Sequence, residues 1–297
     1  MKKILEFIYK KNPLQKKSIQ KFLDKQDSLY WQRTNQFADK MISFLEKQGL
    51  TIEYVADSYL AMCKNMLIEQ IKFKKTGKYT CQNASVAHAD IYSSEKEMSS
   101  YMYGLSLSQF LWPNHYAMYD FFIRESKELT GVNSYLEIGP GHGLYLVEAI
   151  MDFSNAKFLA IDISPISKRI SESIVKHFTG SSKCEFQIKD AYDLEGGKFD
   201  YIVMGEVLEH LGNPKSLLKK INRLLNDNGR LFVTTCANCP AIDHVYLYDS
   251  VEHIRQEIRE SGFAIIADLP LAVGDYAESE WDEQRIEINY AAMLKRV

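Results

Sequence analysis

The chain has 297 residues, enough for one large domain or two modest ones, and its 46% hydrophobic and 25% charged residues are ordinary for a globular protein. A net charge of -3 argues against nucleic acid as the main partner, and no apolar run approaches the roughly 20 residues that cross a bilayer. The five cysteines (Cys63, Cys81, Cys184, Cys236, Cys239) are odd in number and scattered, and Glu6 interrupts the short apolar start, so neither a disulfide framework nor a signal peptide is expected and a cytoplasmic location fits best.

Up to about residue 128 the pattern is helical. Eight lysines between residues 2 and 25 make the first segment basic. They form either a solvated helix face or a contact for an acidic partner, such as a carrier protein presenting the substrate. From Asp27 to Lys47, Phe37, Met41, Phe44 and Leu45 recur at helical spacing. Gly49 and Gly77 read as stop signals, with Thr51 capping a helix through Val55, Tyr59, Met62 and Met66. Residues 78–93 read as a loop. The aromatic segment 101–123 follows, which Gly104 and Pro113 are expected to break into helical pieces.

From residue 133 short apolar strands alternate with helices. SYLEIG, KFLAID, CEFQI, FDYIVMG and RLFVTT are the strands, and LYLVEAIMDF and SPISKRISESIVKHF the first two helices. That order predicts an α/β fold, a parallel sheet joined by right-handed crossovers. FAIIADLPLA and INYAAMLKRV, joined by an acidic segment without a clear helix, predict an antiparallel pair closing the sheet. The chain thus divides into a helical domain or lid, 1–128, and a ligand-binding domain, 129–297.

Glu137-Ile138-Gly139-Pro140-Gly141-His142-Gly143 follows the first strand and precedes a helix. Glycines there allow a sharp turn and close approach to a ligand, beside the unpaired N–H groups of a helix start. A tight turn with no ligand would use the same residues. Asp162 ends the second strand, where a carboxylate can accept both hydroxyls of a ribose. Asp190-Ala191 follows the third strand, and Gly205 ends the fourth.

Taken together, EIGPGHG, AIDIS, KDAYDL and FDYIVMGEVLEHL resemble the class I S-adenosylmethionine-dependent methyltransferases, nearest to the branch containing the ubiquinone-biosynthesis O-methyltransferases. The resemblance runs over residues 130–297. It implies a Rossmann-like, seven-stranded, mostly parallel sheet whose last strand is antiparallel. It also implies that Gly139, Gly141 and Gly143 pass beneath the methionine part of S-adenosylmethionine, with Glu137 nearby. Asp162 would take the ribose hydroxyls, Ile163 would pack on adenine, Asp190 beside Ala191 would accept from the adenine amino group, and Gly205 would face the methionyl portion. A nicotinamide dehydrogenase usually shows G-x-G-x-x-G, whereas here the third glycine follows after one residue.

Methyl transfer from a sulfonium is an in-line displacement, and an oxygen or nitrogen acceptor also loses a proton, usually to His or a carboxylate. His210 after the fourth strand and His244 after the fifth are the candidate catalytic groups. Asp243 precedes His244, but strand alternation would point the two apart. Glu206, Glu209 and His210 would share a helix face. They cap that helix, contact substrate, or hold magnesium or manganese; the group is similar to one that, with a further His, holds a divalent metal in small-RNA 3′-terminal methyltransferases and that ubiquinone-type enzymes also carry. Cys236-x-x-Cys239 is expected to be two reduced cysteines in a loop. The family commonly adds N-terminal helices as a lid, for which Tyr101, Tyr103, Trp112 and His115 are candidates; an aromatic packing seam is the alternative. The expected enzyme methylates oxygen or nitrogen of a small molecule. Its rivals are a cyclase or lyase consuming S-adenosylmethionine without a methyl acceptor, and a non-catalytic assembly module.

Overall fold

The computed structural model describes residues 1–81, 83 and 94–297. Among the described residues six helices lead: α1 (Lys2–Lys11), α2 (Pro13–Leu23), α3 (Ser28–Lys47), α4 (Ile52–Thr76), α5 (Glu95–Leu111) and α6 (Pro113–Lys127). Their starts follow side-chain chemistry. Asp27 Oδ1 accepts the Tyr30 N–H at 2.8 Å, and Thr51 Oγ1 accepts the Tyr54 N–H at 3.2 Å, each satisfying a donor the helix cannot. The helix α4 ends at Gly77, whose φ of 67° is the left-handed conformation that glycine adopts without strain. Of the expected loop 78–93, residues 82 and 84–93 lie outside the described residues.

Gly104 does not break its segment. The helix α5 runs unbroken through it, because a glycine there lets α5 approach α4 closely: an added Cβ would lie 2.8 Å from the Ser58 carbonyl oxygen. Pro113 does divide the segment, by forcing Trp112 into an extended conformation and starting α6. Gly104→Val should therefore lower stability by about 1–3 kcal/mol through overpacking. Urea denaturation reads this directly, and an unchanged midpoint would refute the close approach as the reason for glycine.

The sheet comprises β1 (Ser134–Ile138), β2 (Lys157–Asp162), β3 (Cys184–Ile188), β4 (Phe199–Gly205), β5 (Leu225–Ala237), β6 (Phe263–Ala272) and β7 (Ile288–Arg296). The strand order is β3-β2-β1-β4-β5-β7-β6, with β1 to β5 parallel and β7 antiparallel to both its neighbours. The helices α7 (Leu144–Asp152), α8 (Pro165–Thr179), α9 (Pro214–Leu224) and α10 (Val251–Glu260) connect strands. Alternation sorts each strand's residues between two cores. Tyr135, Tyr201, Val203, Phe232 and Met293 face the layer built by α7, α8 and the N-terminal helices. Leu136, Ile202, Met204, Val233 and Leu294 face the layer of α9 and α10. The first core is strongly aromatic, with Phe122, Tyr145 and Phe232 rings 4.7–5.7 Å apart. It runs without interruption from Met1 to Met293, so the leading helices share the sheet's own interior. No helix among the described residues is long and apolar enough to cross a membrane.

Candidate active site

The carboxyl ends of β1, β2, β3, β4 and β5 lie along one edge of the sheet, where an open α/β fold has its ligand crevice. At β1, Gly139, Gly141 and Gly143 all adopt positive φ (64°, 52° and 74°). The turn is tied down by Gly143 N–H donating to the Pro140 carbonyl at 2.7 Å and by the Ser171 hydroxyl donating to the Gly141 carbonyl. A Cβ on Gly141 would meet nothing within 4 Å, so this glycine borders open space. His142 Nδ1 accepts the Leu144 N–H at 3.2 Å, so its ring caps the start of α7. Glu137 is buried beneath the turn and accepts from the Tyr135 hydroxyl at 2.5 Å. Burial raises its pKa to about 8.

Asp162 ends β2 with one carboxylate oxygen accepting the Ser164 N–H at 2.8 Å and the other the Ser167 hydroxyl at 2.6 Å. A carboxylate has about four lone-pair positions, and these bonds fix the orientation of the group. Ile163 beside it is 45% exposed, an apolar surface at the crevice. Asp190 Oδ1 accepts the Tyr192 N–H at 2.9 Å, and Ala191 is buried at the start of a short 3-10 turn, 191–193. Gly205 lies against the Tyr145 ring, which a Cβ would meet at 3.1 Å. The glycine turn, the oriented carboxylate and the apolar shelf fit an adenosyl ligand: backbone approach, a ribose acceptor and a flat contact.

Beyond Gly205 the geometry departs from the sequence reading. Glu206 is not helical. It sits at φ 53°, a left-handed position sparse for non-glycine residues, and only 208–210 form a 3-10 turn. Its N–H donates to Thr234, and its carboxyl turns toward that of Glu209. Burial raises both, Glu209 to about 7, and the Glu209 charge pushes Glu206 further up, so that Glu206 is the one that keeps its proton. One oxygen of each completes no normal hydrogen bond among the described residues. His210 points elsewhere. The E-x-x-E-H triplet therefore does not converge as one helix face.

What does converge is His210, Asp243 and His244, whose donor atoms lie within 4.8 Å of one another. The expectation that Asp243 and His244 point apart fails because they occupy a turn and its exit, where strand alternation does not apply. His210 Nδ1 lies 3.1 Å from the Asp243 carbonyl and 3.5 Å from its carboxylate, and the His210 and His244 rings meet edge-on at 4.9 Å. His244 Nδ1 is 2.6 Å from the Cys239 carbonyl. A carbonyl only accepts, so Nδ1 carries the proton and Nε2 is the basic nitrogen. Burial, and then the neighbouring His210, lower the His244 pKa to about 4, so the ring is neutral at ordinary pH. The loop holding it is clamped: the Glu209 carbonyl accepts the Val245 and Tyr246 N–H groups at 2.8 and 2.9 Å, while the Glu209 carboxylate accepts from Thr235 at 2.7 Å.

Among the described residues a metal would find two donor sets here, Glu209–Cys236–His244 and His210–Asp243–His244, and Glu206 belongs to neither. Cys236 is not in a loop. It ends β5, buried, with its sulfur 3.8 Å from His244 Nδ1. All five cysteines are free thiols.

The aromatic candidates separate. Tyr101 is buried within electrostatic reach of Asp243, Glu206, Glu209 and Cys236, and burial above all holds its hydroxyl protonated. Tyr103 packs against Tyr54 and Phe44 at 5.9 and 6.3 Å, within the helical layer. Trp112 Nε1 donates to the Tyr59 hydroxyl at 2.9 Å, and its ring meets His115 at 4.7 Å. His115 Nδ1 lies 2.9 Å from the Ser108 hydroxyl, with its pKa lowered to about 4 by burial. One neighbour escaped the sequence reading. Tyr79, just past the end of α4, is buried edge-on to His244 at 5.8 Å. A lone tyrosine in a polar stretch carries no periodic signal, so nothing in the sequence marks it.

A family model described as a methyltransferase domain matches residues 113–268, just over half of the chain. The ubiquinone biosynthesis O-methyltransferase of Xanthomonas oryzae pv. oryzae (strain PXO99A) is 28% identical over 109 residues, covering 36% of this chain and 44% of that protein. The chain thus spans less than half of that relative's length. Among solved structures, the mitomycin 7-O-methyltransferase MmcR matches with a TM-score of 0.55 at 11% identity, over 83% of this chain and 70% of that one. Phosphoethanolamine N-methyltransferase 2 of Haemonchus contortus, in complex with S-adenosyl-L-methionine, matches with a TM-score of 0.53 at 14% identity, over 73% and 61%. At such identities the structural likeness speaks for the fold. With the glycine turn, the strand order and the family match in agreement, this chain belongs to the class I S-adenosylmethionine-dependent methyltransferase family.

Proposed function

We propose that the chain transfers a methyl group from S-adenosylmethionine to an oxygen or nitrogen of a small-molecule acceptor. The observation that carries this reading is one sheet edge holding both a glycine turn with an oriented Asp162 and, two strands away, a buried imidazole whose tautomer is fixed. Bound S-adenosylmethionine supplies an electrophilic sulfonium methyl. Gly139, Gly141 and Gly143 let the backbone pass beneath it, with Glu137 below. Asp162 holds the ribose, Ile163 and Asp190-Ala191 border the adenine, and Gly205 the methionyl end. His244 takes the acceptor's proton at Nε2. Asp243 steadies the resulting charge, since its carboxylate already favours the protonated ring. His210 fixes the position of Asp243 and His244, and Tyr101 borders the same space. The helices of residues 1–128 serve as the cover over the acceptor, and their lysines suit an acidic carrier protein. A metal would be bound by the donor sets around His244, and the reading does not require one.

The binding half is tested by titrating S-adenosylhomocysteine calorimetrically. Asp162→Ala should weaken it by roughly 1.5–3 kcal/mol, the range for charged hydrogen bonds. Asp162→Asn should lose less, because it keeps an acceptor for the Ser164 N–H. Unchanged affinity in a folded Asp162→Ala variant would remove Asp162 from the site.

A further inference from the structure

We propose that the 350 Å³ pocket between the end of α4 and the β6–β7 connection is the outer half of the acceptor site, and that Lys74 and Arg285 there recognise an anionic group, carboxylate or phosphate, on the acceptor. The inference rests on the methyl-transfer reading and extends it to the substrate's chemistry.

Position comes first. Because β7 is antiparallel to both β5 and β6, β6 runs in the direction of β5, and its end at Ala272 lies on the same edge as Gly205 and Ala237. The pocket therefore opens on the functional edge. It is also close to the base. Phe73 in its wall meets the Tyr79 ring at 5.4 Å, and Tyr79 meets His244 at 5.8 Å. The Phe73 wall and the Tyr79 ring behind it lead from the pocket to the imidazole. A second path runs through hydrogen bonds: Cys239, whose carbonyl holds His244 Nδ1, places its sulfur 3.6 Å from the Ile288 carbonyl, next to the wall residue Glu287. The Tyr79 hydroxyl lies buried beside the Cys239 backbone and completes no normal hydrogen bond among the described residues. A buried hydroxyl in that state costs free energy unless a ligand answers it.

Charge decides the ligand class. Among the described residues neither Lys74 nor Arg285 has an ion pair. Glu287 lies in the same wall, its carboxyl accepting from Gln70 at 2.9 Å; burial raises its pKa, while the Gln70 bond and the nearby Lys74 charge pull the other way. Arg285 holds φ 50°, an uncommon conformation for a side-chain-bearing residue, and its guanidinium rests over the Phe73 ring at 5.2 Å. Gly77 makes room for it: a Cβ there would come within 2.9 Å of the guanidinium. The wall thus offers a positioned planar cation, a second cation and aromatic faces from Phe73 and Tyr276, which suits a planar molecule bearing an anion.

The test uses the full chain saturated with S-adenosylhomocysteine, with benzoate, phenyl phosphate and neutral benzamide as probes in calorimetric titrations. One or both anions should bind at least about tenfold more tightly than benzamide, and the tighter anion identifies the group. Arg285→Glu and, separately, Lys74→Glu should abolish the preference while the melting temperature stays near that of the parent. Equal binding of the three probes, no binding of either anion, or a preference that survives Arg285→Glu would overturn the proposal. Failure of S-adenosylhomocysteine itself to bind would count instead against the methyl-transfer reading.

Discussion

His244→Gln should lower the rate of S-adenosylhomocysteine formation by about 10²–10⁴-fold while leaving cofactor affinity as it was. Glutamine preserves an N–H for the Cys239 carbonyl and much of the ring's volume, so the loop stays in place and the change isolates loss of the basic Nε2. The low pKa of the buried ring, about 4, keeps it unprotonated at neutral pH, so activity should not fall until the medium is distinctly acidic. Activity that survives His244→Gln but disappears with EDTA and returns with magnesium would transfer the chemistry to the acidic groups near it. Full activity in both experiments would leave alignment as the whole of catalysis.

The second large effect is on stability against pH. Glu137 carries a native pKa near 8 against 4.5 in the unfolded chain, so between those values the native state holds the extra proton. Stability from this group is fully present below pH 4.5 and is lost as pH rises through 8. His244 and His115, lowered to about 4, and His142, lowered to about 3, act in the opposite sense. Their contribution is present above 6.5 and is lost as pH falls through those values. The melting temperature should therefore be highest near pH 5–6.5 and fall on both sides. The alkaline loss should be on the order of a few kcal/mol by pH 9. Glu137→Gln, which still accepts from the Tyr135 hydroxyl, should make the alkaline limb shallower, the remainder belonging to the raised Glu206 and Glu209, and spare the acid one. An alkaline limb equally steep in that variant would mean that Glu137 is ionised in the folded protein.

The strands were legible because both faces of a parallel sheet are covered, which leaves short apolar runs such as FDYIVMG between turns. The glycine turn was legible because positive φ at three positions restricts what can stand there. The acceptor side was much less so. His210, Asp243 and His244 come together through a turn whose path depends on the Glu209 carbonyl gripping Val245 and Tyr246, a tertiary contact with no local signature. Alternation and helical periodicity do not govern those residues, which lie in turns rather than in a strand or an α-helix. Gly104 misled in a different way: glycine weakens a helix by propensity, yet here the contact with α4 outweighs that cost.

The placement of β7 has a consequence for the growing chain. The ribosome releases β6 before β7, yet among the described residues β6 is hydrogen-bonded to β7 and to no other strand. Until residues 288–296 emerge, β6 has no template, and the outer edge of β5, with buried residues from Leu231 to Ala237, stands open. An apolar open edge is a pairing surface for other chains, so the interval before β7 inserts is the moment at which nascent molecules are most prone to associate. The final strand acts as the wedge that ends it, joining two separate pieces of sheet in one late step.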